Sequence, residues 1–163
     1  MEITYELIQN EQQIQELYSL ADRVWHEYFP CILEKEQIDY MVEMFFAPKA
    51  IAENIKQGYE FYFVNANDKI GFISVHPEKD RLFLSKLYLT KENRGKGYAS
   101  KMMNFLKNLA KEKGFAKVYL TVNKYNTHTI DVYKHHNFVV TESAQFDIGK
   151  GYIMDDFVME CEL

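Results

Sequence analysis

The chain has 163 residues, 47% of them hydrophobic and 15% aromatic, and a formal net charge of −5. This composition is globular rather than disordered, and the length suffices to bury a large core. The acidic N-terminus has no basic region followed by an apolar run, and no apolar span reaches membrane length, which predicts a cytoplasmic protein without a membrane partner.

Cys31 and Cys161 are the only cysteines, too few for a secreted disulfide framework, so both are read as reduced thiols. No repeat, low-complexity tract or Pro/Gly/Ser linker interrupts the chain, and residues 1–163 are read as a single domain. Charge is unevenly placed. Residues 91–117 hold 8 basic and 2 acidic side chains, a balance of +6, which leaves −11 for the remainder. A basic patch suits a phosphate-bearing ligand, and an acidic remainder suits a cationic partner; a solvated lysine-rich helix face gives the same count. The negative total, and aromatic residues that lie outside the basic segment, argue against nucleic acid.

In chain order, residues 3–8 alternate as a strand. Asn10 then stands as an N-cap with Gln13 placed to close a capping box, and Ile14, Leu17, Tyr18, Ala21, Val24, Trp25 and Tyr28 form one helical stripe up to Pro30. His26-Glu27 begins like a zinc-protease motif, but Pro30 occupies the place of the second histidine, so no metal site is expected. Residues 34–46 and 48–57 read as a second helical region, broken at Pro48 and stopped by Gly58. Strands are expected over 59–65, 69–75 and 81–89, joined by turns at 66–68 and 76–80 into an antiparallel meander. A helix follows, with Ala99, Met102, Met103, Leu106, Leu109 and Ala110 at helical spacing, ending at Gly114. The next strand, 117–122, is reached through that helix and should run parallel to the strand ending at Leu89. A short helix capped by Asn126 and ended by Asn137, then strands over 138–142 and 152–160, complete the chain.

The stretch 84–110 joins a strand to a helix through a turn with two close glycines, Gly95 and Gly97. Such glycines let backbone approach a ligand, and the unpaired amides of the first helical turn hold phosphate. A Walker A loop is excluded, because Thr90 stands at its first glycine and Gly97 follows Lys96. The dinucleotide fingerprint fails at Ser100, where it needs a third glycine. An ordinary strand-to-helix turn with no ligand remains compatible with these residues.

Arg94-Gly95-Lys96-Gly97-Tyr98-Ala99 resembles the acyl-CoA signature Gln/Arg-x-x-Gly-x-Gly/Ala of the GNAT N-acyltransferase superfamily. Further on, Asn126, Ile130, Tyr133 and Phe138 match the family pattern Asn-x-x-Ala-hydrophobic-x-x-Tyr-x-x-x-Gly-Phe, which the chain leaves at Thr129 and Asn137. The resemblance covers residues 59–163 well, and the N-terminal helices in arrangement only. It implies an α/β (α+β) fold: a twisted mixed sheet of about seven strands flanked by helices, in the order β-α-α-β-β-β-α-β-α-β-β, with the strands ending at Leu89 and Val122 splayed around the coenzyme. It also implies an acetyl-CoA-dependent N-acetyltransferase acting by direct amine attack, with no metal. Backbone from Arg94 to Ser100 would grip the pyrophosphate, Leu87, Tyr88 and Leu89 would pair with the pantetheine arm, and Asn126 would complete the coenzyme site. Tyr133 would give the departing thiolate its proton.

Many family members place an acidic residue where this chain has Ser85. A direct carboxylate base is therefore missing there, and the acceptor's proton would pass to ordered water or to Glu27, Tyr28 or Glu43. Residues 146–156 loosely resemble the spermidine/spermine acetyltransferase-like branch. With the balance of −11, this predicts a small cationic amine, either a polyamine or an amino-acid-like amine. The alternative is a non-catalytic acyl-CoA-binding regulatory module. A homodimer is the default expectation for a soluble oligomer.

Overall fold

The computed structural model describes residues 2–163. Strand β1 (Thr4–Leu7) is followed by helices α1 (Glu11–Tyr28), α2 (Lys35–Phe46) and α3 (Pro48–Lys56). Next come strands β2 (Glu60–Ala66), β3 (Asp68–Glu78) and β4 (Arg81–Leu89), a 3-10 turn (Lys91–Asn93) and helix α4 (Tyr98–Glu112). Strand β5 (Lys117–Asn123), helix α5 (Thr127–His135) and the hairpin of β6 (Val139–Gly149) and β7 (Tyr152–Glu162) close the chain. The strands form one mixed seven-stranded sheet, as the family resemblance implied, and their order across it is β1-β2-β3-β4-β5-β7-β6.

Two compact units are built from this chain. One comprises the residues through His76 together with Lys86–Met102; the other comprises Pro77–Ser85 and Met103–Leu163.

In the first unit, α1 starts where the sequence places it. The Asn10 side chain accepts the Gln13 N–H, and the Gln13 side chain returns the bond to the Asn10 backbone. The apolar stripe of α1 buries Leu17, Ala21, Val24 and Trp25 with Ile38, Val42 and Phe46 of α2 and Ile51 of α3. The expected second helical region is two helices, because Pro48 confines Ala47 to an extended conformation (φ −53°, ψ 142°). Strand β3 runs on through Pro77 to Glu78, so its turn to β4 is shorter than expected, with Lys79 at φ 24°. At Gly71 a Cβ would lie 2.3 Å from the Tyr88 carbonyl oxygen, so only glycine lets this backbone pass so close to β4.

The second unit is organised on β5. It pairs parallel with β4 from Arg81–Lys117 to Leu84–Leu120, and antiparallel with β7 along its whole length. One sheet face carries Arg81 stacked on Tyr119 and bonded to Glu160 at 2.9 Å. Phe83 stacks on the same Tyr119 ring, and by strand alternation Ser85 follows on that face. Val118, Leu120, Met159 and Cys161 are buried, as are Met103, Leu106 and Ala110 of α4. Strand β6, a sheet edge, is longer than expected and exposed along most of its length.

Candidate active site

The glycine turn begins at a fixed point. Thr90 is buried, its N–H donates to the Ile70 carbonyl at 2.8 Å, and its hydroxyl accepts the Asn93 amide at 2.7 Å. After the 3-10 turn, Gly95 and Gly97 adopt φ of +74° and +81°, the left-handed region that disfavours any side chain. A Cβ built on either glycine meets no atom within 4 Å, so the dihedrals demand glycine and the space above the turn is open. Tyr98, Ala99 and Ser100 then start α4, whose first turn carries no acidic side chain to neutralise its amides, while Lys96 precedes it and Lys101 follows. The positive end of a 15-residue helix, flanked by lysines, attracts an anion.

Arg94 strengthens that field. Its Nε donates to the Leu89 carbonyl at 3.2 Å and its guanidinium lies 4.5 Å over the Tyr28 ring. Its Nη2 is buried without a protein partner. A buried donor of this kind is costly unless an acceptor meets it, and a phosphate oxygen is such an acceptor. The residues present therefore fit a coenzyme pyrophosphate.

The turn is also tied to α1. One Glu27 carboxylate oxygen accepts the Lys91 backbone N–H at 3.1 Å, and the other faces Arg23 Nε at 3.4 Å. Arg23 reaches on to bond Glu92. Glu27, expected among the acceptor-side residues, thus has both oxygens engaged in holding the turn.

Beside the turn, α1, α2 and β4 assemble an aromatic box. Trp25 sits with ring centroids 4.6 Å from Phe29, 6.0 Å from Phe45, and 5.7 Å from both Phe46 and Tyr88. Tyr28 crosses Tyr88 edge-on at 5.7 Å. Lys86, two residues before Tyr88 on β4, places its ammonium 4.8 Å from the Phe45 ring and 5.9 Å from Phe46. Trp25 is only 3% exposed, and its indole N–H has no partner. Neither Trp25 nor Lys86 stood out in the sequence as a site residue; only the period-two placement of Lys86 and Tyr88 on β4 hinted at a shared face. Glu43, also expected here, is exposed and accepts the Tyr18 hydroxyl at 2.5 Å, which holds that phenol above its ordinary pKa.

In the second unit, Asn126 occupies the N-cap of α5 but makes no side-chain capping bond, contrary to the sequence expectation; its carbonyl accepts the Ile130 N–H at 3.0 Å. Tyr133 is 8% exposed, with its ring 5.6 Å from Phe138. Asn137 holds φ +73°, the left-handed residue past the helix, where the family pattern has glycine. Lys107 donates to the His136 carbonyl at 2.8 Å, and burial leads Lys107 and His135 in pushing the His136 pKa down. Among the described residues no group of three His, Cys, Asp or Glu side chains is placed to hold a metal ion, and no helix is long and apolar enough to cross a membrane.

The mixed seven-stranded sheet, with its fourth strand leading through a glycine turn into α4, has the α/β layout of an acyltransferase. Residues 14–138 match the model of the acetyltransferase (GNAT) family, and the chain belongs to that family. The match takes in α1, which sequence likeness alone reached only in arrangement, and stops short of β6 and β7. In structure the chain is similar to the PaiA N-acetyltransferase from Thermoplasma acidophilum in complex with coenzyme A, at 21% identity over 100% of both chains and a TM-score of 0.83. It is similar also to the ribosomal-protein-S18-alanine N-acetyltransferase from Escherichia coli, at 16% identity over 99% of this chain and 94% of that one, TM-score 0.74. A GNAT family acetyltransferase from Elizabethkingia anophelis with acetyl-CoA bound aligns at 16% identity over 99% and 98%, TM-score 0.67. No curated protein matches the chain in sequence.

Proposed function

We propose that residues 1–163 work as one acetyl-CoA-dependent N-acetyltransferase domain whose acceptor is a small cationic amine. The observation that carries the coenzyme assignment is the Gly95–Gly97 turn opening α4, left-handed at both glycines with open space above it and the unpaired Arg94 Nη2 beside it. Structural neighbours with coenzyme A or acetyl-CoA bound support it.

In this reading the turn and Arg94 hold the pyrophosphate, and backbone at Leu87, Tyr88 and Leu89 holds the pantetheine arm. The neutral amine attacks the thioester carbonyl, a C–N bond forms, and the C–S bond breaks. A backbone N–H meets the oxygen that becomes anionic. Tyr133 on α5 supplies the proton taken by the departing thiolate. Asn126 serves the coenzyme side. With Ser85 in place of a carboxylate and Glu27 engaged by the turn, ordered water removes the amine proton. The −11 balance outside the basic segment supports a cationic acceptor, as does the reaction's need for an amine. The reaction belongs to the cytoplasm, and a homodimer is the assembly we would look for.

Thiol release from acetyl-CoA with spermidine, lysine, a neutral aromatic amine and a peptide N-terminus tests the assignment. Turnover highest with spermidine or lysine is expected. Tight coenzyme A binding without turnover on any amine would replace it with a regulatory acyl-CoA-binding module.

A further inference from the structure

We infer that Tyr28, the last residue of α1, is a positioning residue for the coenzyme: its ring fixes the Arg94 guanidinium beside the turn that holds the pyrophosphate. This adds a residue to the coenzyme site proposed above and rests on that reading. It also moves Tyr28 away from the acceptor side, where the sequence placed it.

Arg94 stands directly before Gly95, on extended backbone at φ −78° and ψ 155°. A side chain of this length has many rotamers, and freedom lost on meeting a ligand weakens binding. Three contacts remove that freedom beforehand. Nε donates to the Leu89 carbonyl at 3.2 Å, the guanidinium lies 4.5 Å from the centre of the Tyr28 ring, and Nη2 is buried. A planar guanidinium can lie on a ring and direct an edge N–H at a carbonyl together; an ammonium has no such edge.

Tyr28 is itself held. Its ring centroid is 5.1 Å from that of Phe29 and 5.7 Å from that of Tyr88, and it crosses both steeply. Tyr88 precedes Leu89 on β4, so one strand supplies both the ring that braces Tyr28 and the carbonyl that takes Arg94 Nε. The residue before Tyr28, Glu27, accepts the Lys91 N–H at 3.1 Å. Consecutive residues of α1 therefore reach the segment 91–94 by different means, Glu27 through its backbone and Tyr28 through its cation. A protonated amine approaching the Tyr28 ring would meet the like charge of Arg94, which argues against this ring as the acceptor's own cation site.

Coenzyme A affinity of the full chain, measured by calorimetry in a double-mutant cycle, tests the pair. Arg94→Met should weaken binding about tenfold or more. Tyr28→Leu should weaken it about fivefold, the scale of a cation on a ring, and Tyr28→Phe, which keeps the ring, should stay within about twofold of wild type. In the Arg94→Met background, Tyr28→Leu should change affinity by less than about twofold, because the group it positions is gone. In kinetics, Tyr28→Leu should raise the KM for acetyl-CoA and leave that for the amine within about twofold. Arg94→Lys keeps the charge and loses the planar edge; it should bind coenzyme A several-fold more weakly than wild type, a test that needs no change at Tyr28.

An equal loss from Tyr28→Leu in both backgrounds, failure of Tyr28→Phe to restore affinity, or wild-type affinity in Arg94→Lys overturns the inference. So does a change confined to the KM for the amine. Affinity that depends on Arg94 but ignores Tyr28 would sink the positioning role and leave the pyrophosphate reading standing, whereas wild-type affinity in Arg94→Met, or no coenzyme A binding by the wild type, would remove both.

Discussion

Glu27 on α1 accepts the backbone N–H of Lys91 at 3.1 Å, so a helix on the aromatic-box side holds the first turn after β4. Arg23 completes the latch by facing Glu27 and bonding Glu92. These side chains are partly exposed, so their ion pairs add little stability. Their consequence is positional. Glu27→Ala should raise the KM for acetyl-CoA several-fold with a smaller change in kcat, and Glu27→Gln, which keeps an acceptor oxygen for Lys91, should recover most of the loss. Steady-state kinetics at saturating amine read the split; an unchanged KM for acetyl-CoA in Glu27→Ala would show that the latch does not position the turn.

Gly97 and Gly114 have nearly the same positive φ, +81° and +83°, and a Cβ at either meets no atom within 4 Å. Only Gly97 lies in the proposed phosphate grip. Alanine at each should therefore cost a similar stability, about 1 kcal/mol for a left-handed non-glycine residue, while only Gly97→Ala weakens coenzyme A binding, by about tenfold or more as amide geometry shifts. Gly97→Glu should abolish binding. Calorimetry with coenzyme A separates the two sites, and equal affinity in both alanine variants would remove the turn from the binding site.

Local chemistry made much of this fold legible. The Asn10–Gln13 capping box, Pro48 at the start of α3, Gly95 and Gly97 in the turn and Asn137 past α5 each act within a few residues, and each is found where the sequence puts it. The misread boundaries have physical causes. β6 is exposed on both faces over most of its length, so no burial selects an alternating pattern and its polar run looks like loop. Pro77 reads as a turn, yet near the end of β3 a missing N–H is tolerated. Trp25 and Lys86 are about sixty positions apart in sequence and meet the same rings only through packing. No local pattern marks such a contact, and likewise nothing in the sequence shows that Glu27 is engaged by the Lys91 amide rather than free for a substrate.

Tyr133 is 8% exposed on α5, at the position that matches the family tyrosine. If its hydroxyl protonates the leaving thiolate, Tyr133→Phe keeps the ring contact with Phe138 and removes the hydroxyl. The turnover number should fall by roughly 10²-fold, with acetyl-CoA affinity within about twofold of wild type. Wild-type turnover in the variant would pass the proton to water.

The last prediction concerns the hinge between α1 and α2, where both nitrogens of His26 face acceptors. Nδ1 lies 2.7 Å from the Asp22 carbonyl oxygen, which can only accept, so that nitrogen carries hydrogen. Nε2 lies 2.5 Å from the Asp39 carboxylate, which also takes Lys35 at 2.9 Å. The ring satisfies both only as the imidazolium. Partial burial opposes the charge, but the Asp22 carbonyl and the Asp39 carboxylate outweigh it, and the His26 pKa is raised above its ordinary 6.5. Asp39, bonded by Lys35 and His26, is held below its ordinary 3.8. For His26 the stabilisation is complete below 6.5 and is lost as pH rises through the raised folded value. For Asp39 it is present above 3.8 and is lost as pH falls through the lowered one. The link is therefore fully formed between those two ordinary values, and weakens on the alkaline side first as conditions approach neutrality and beyond. Urea unfolding of wild type and His26→Gln at a series of pH values should show the largest stability difference near pH 5.5, shrinking steadily toward pH 8.5. A difference independent of pH across that range would mean that His26 contributes by packing and not by charge.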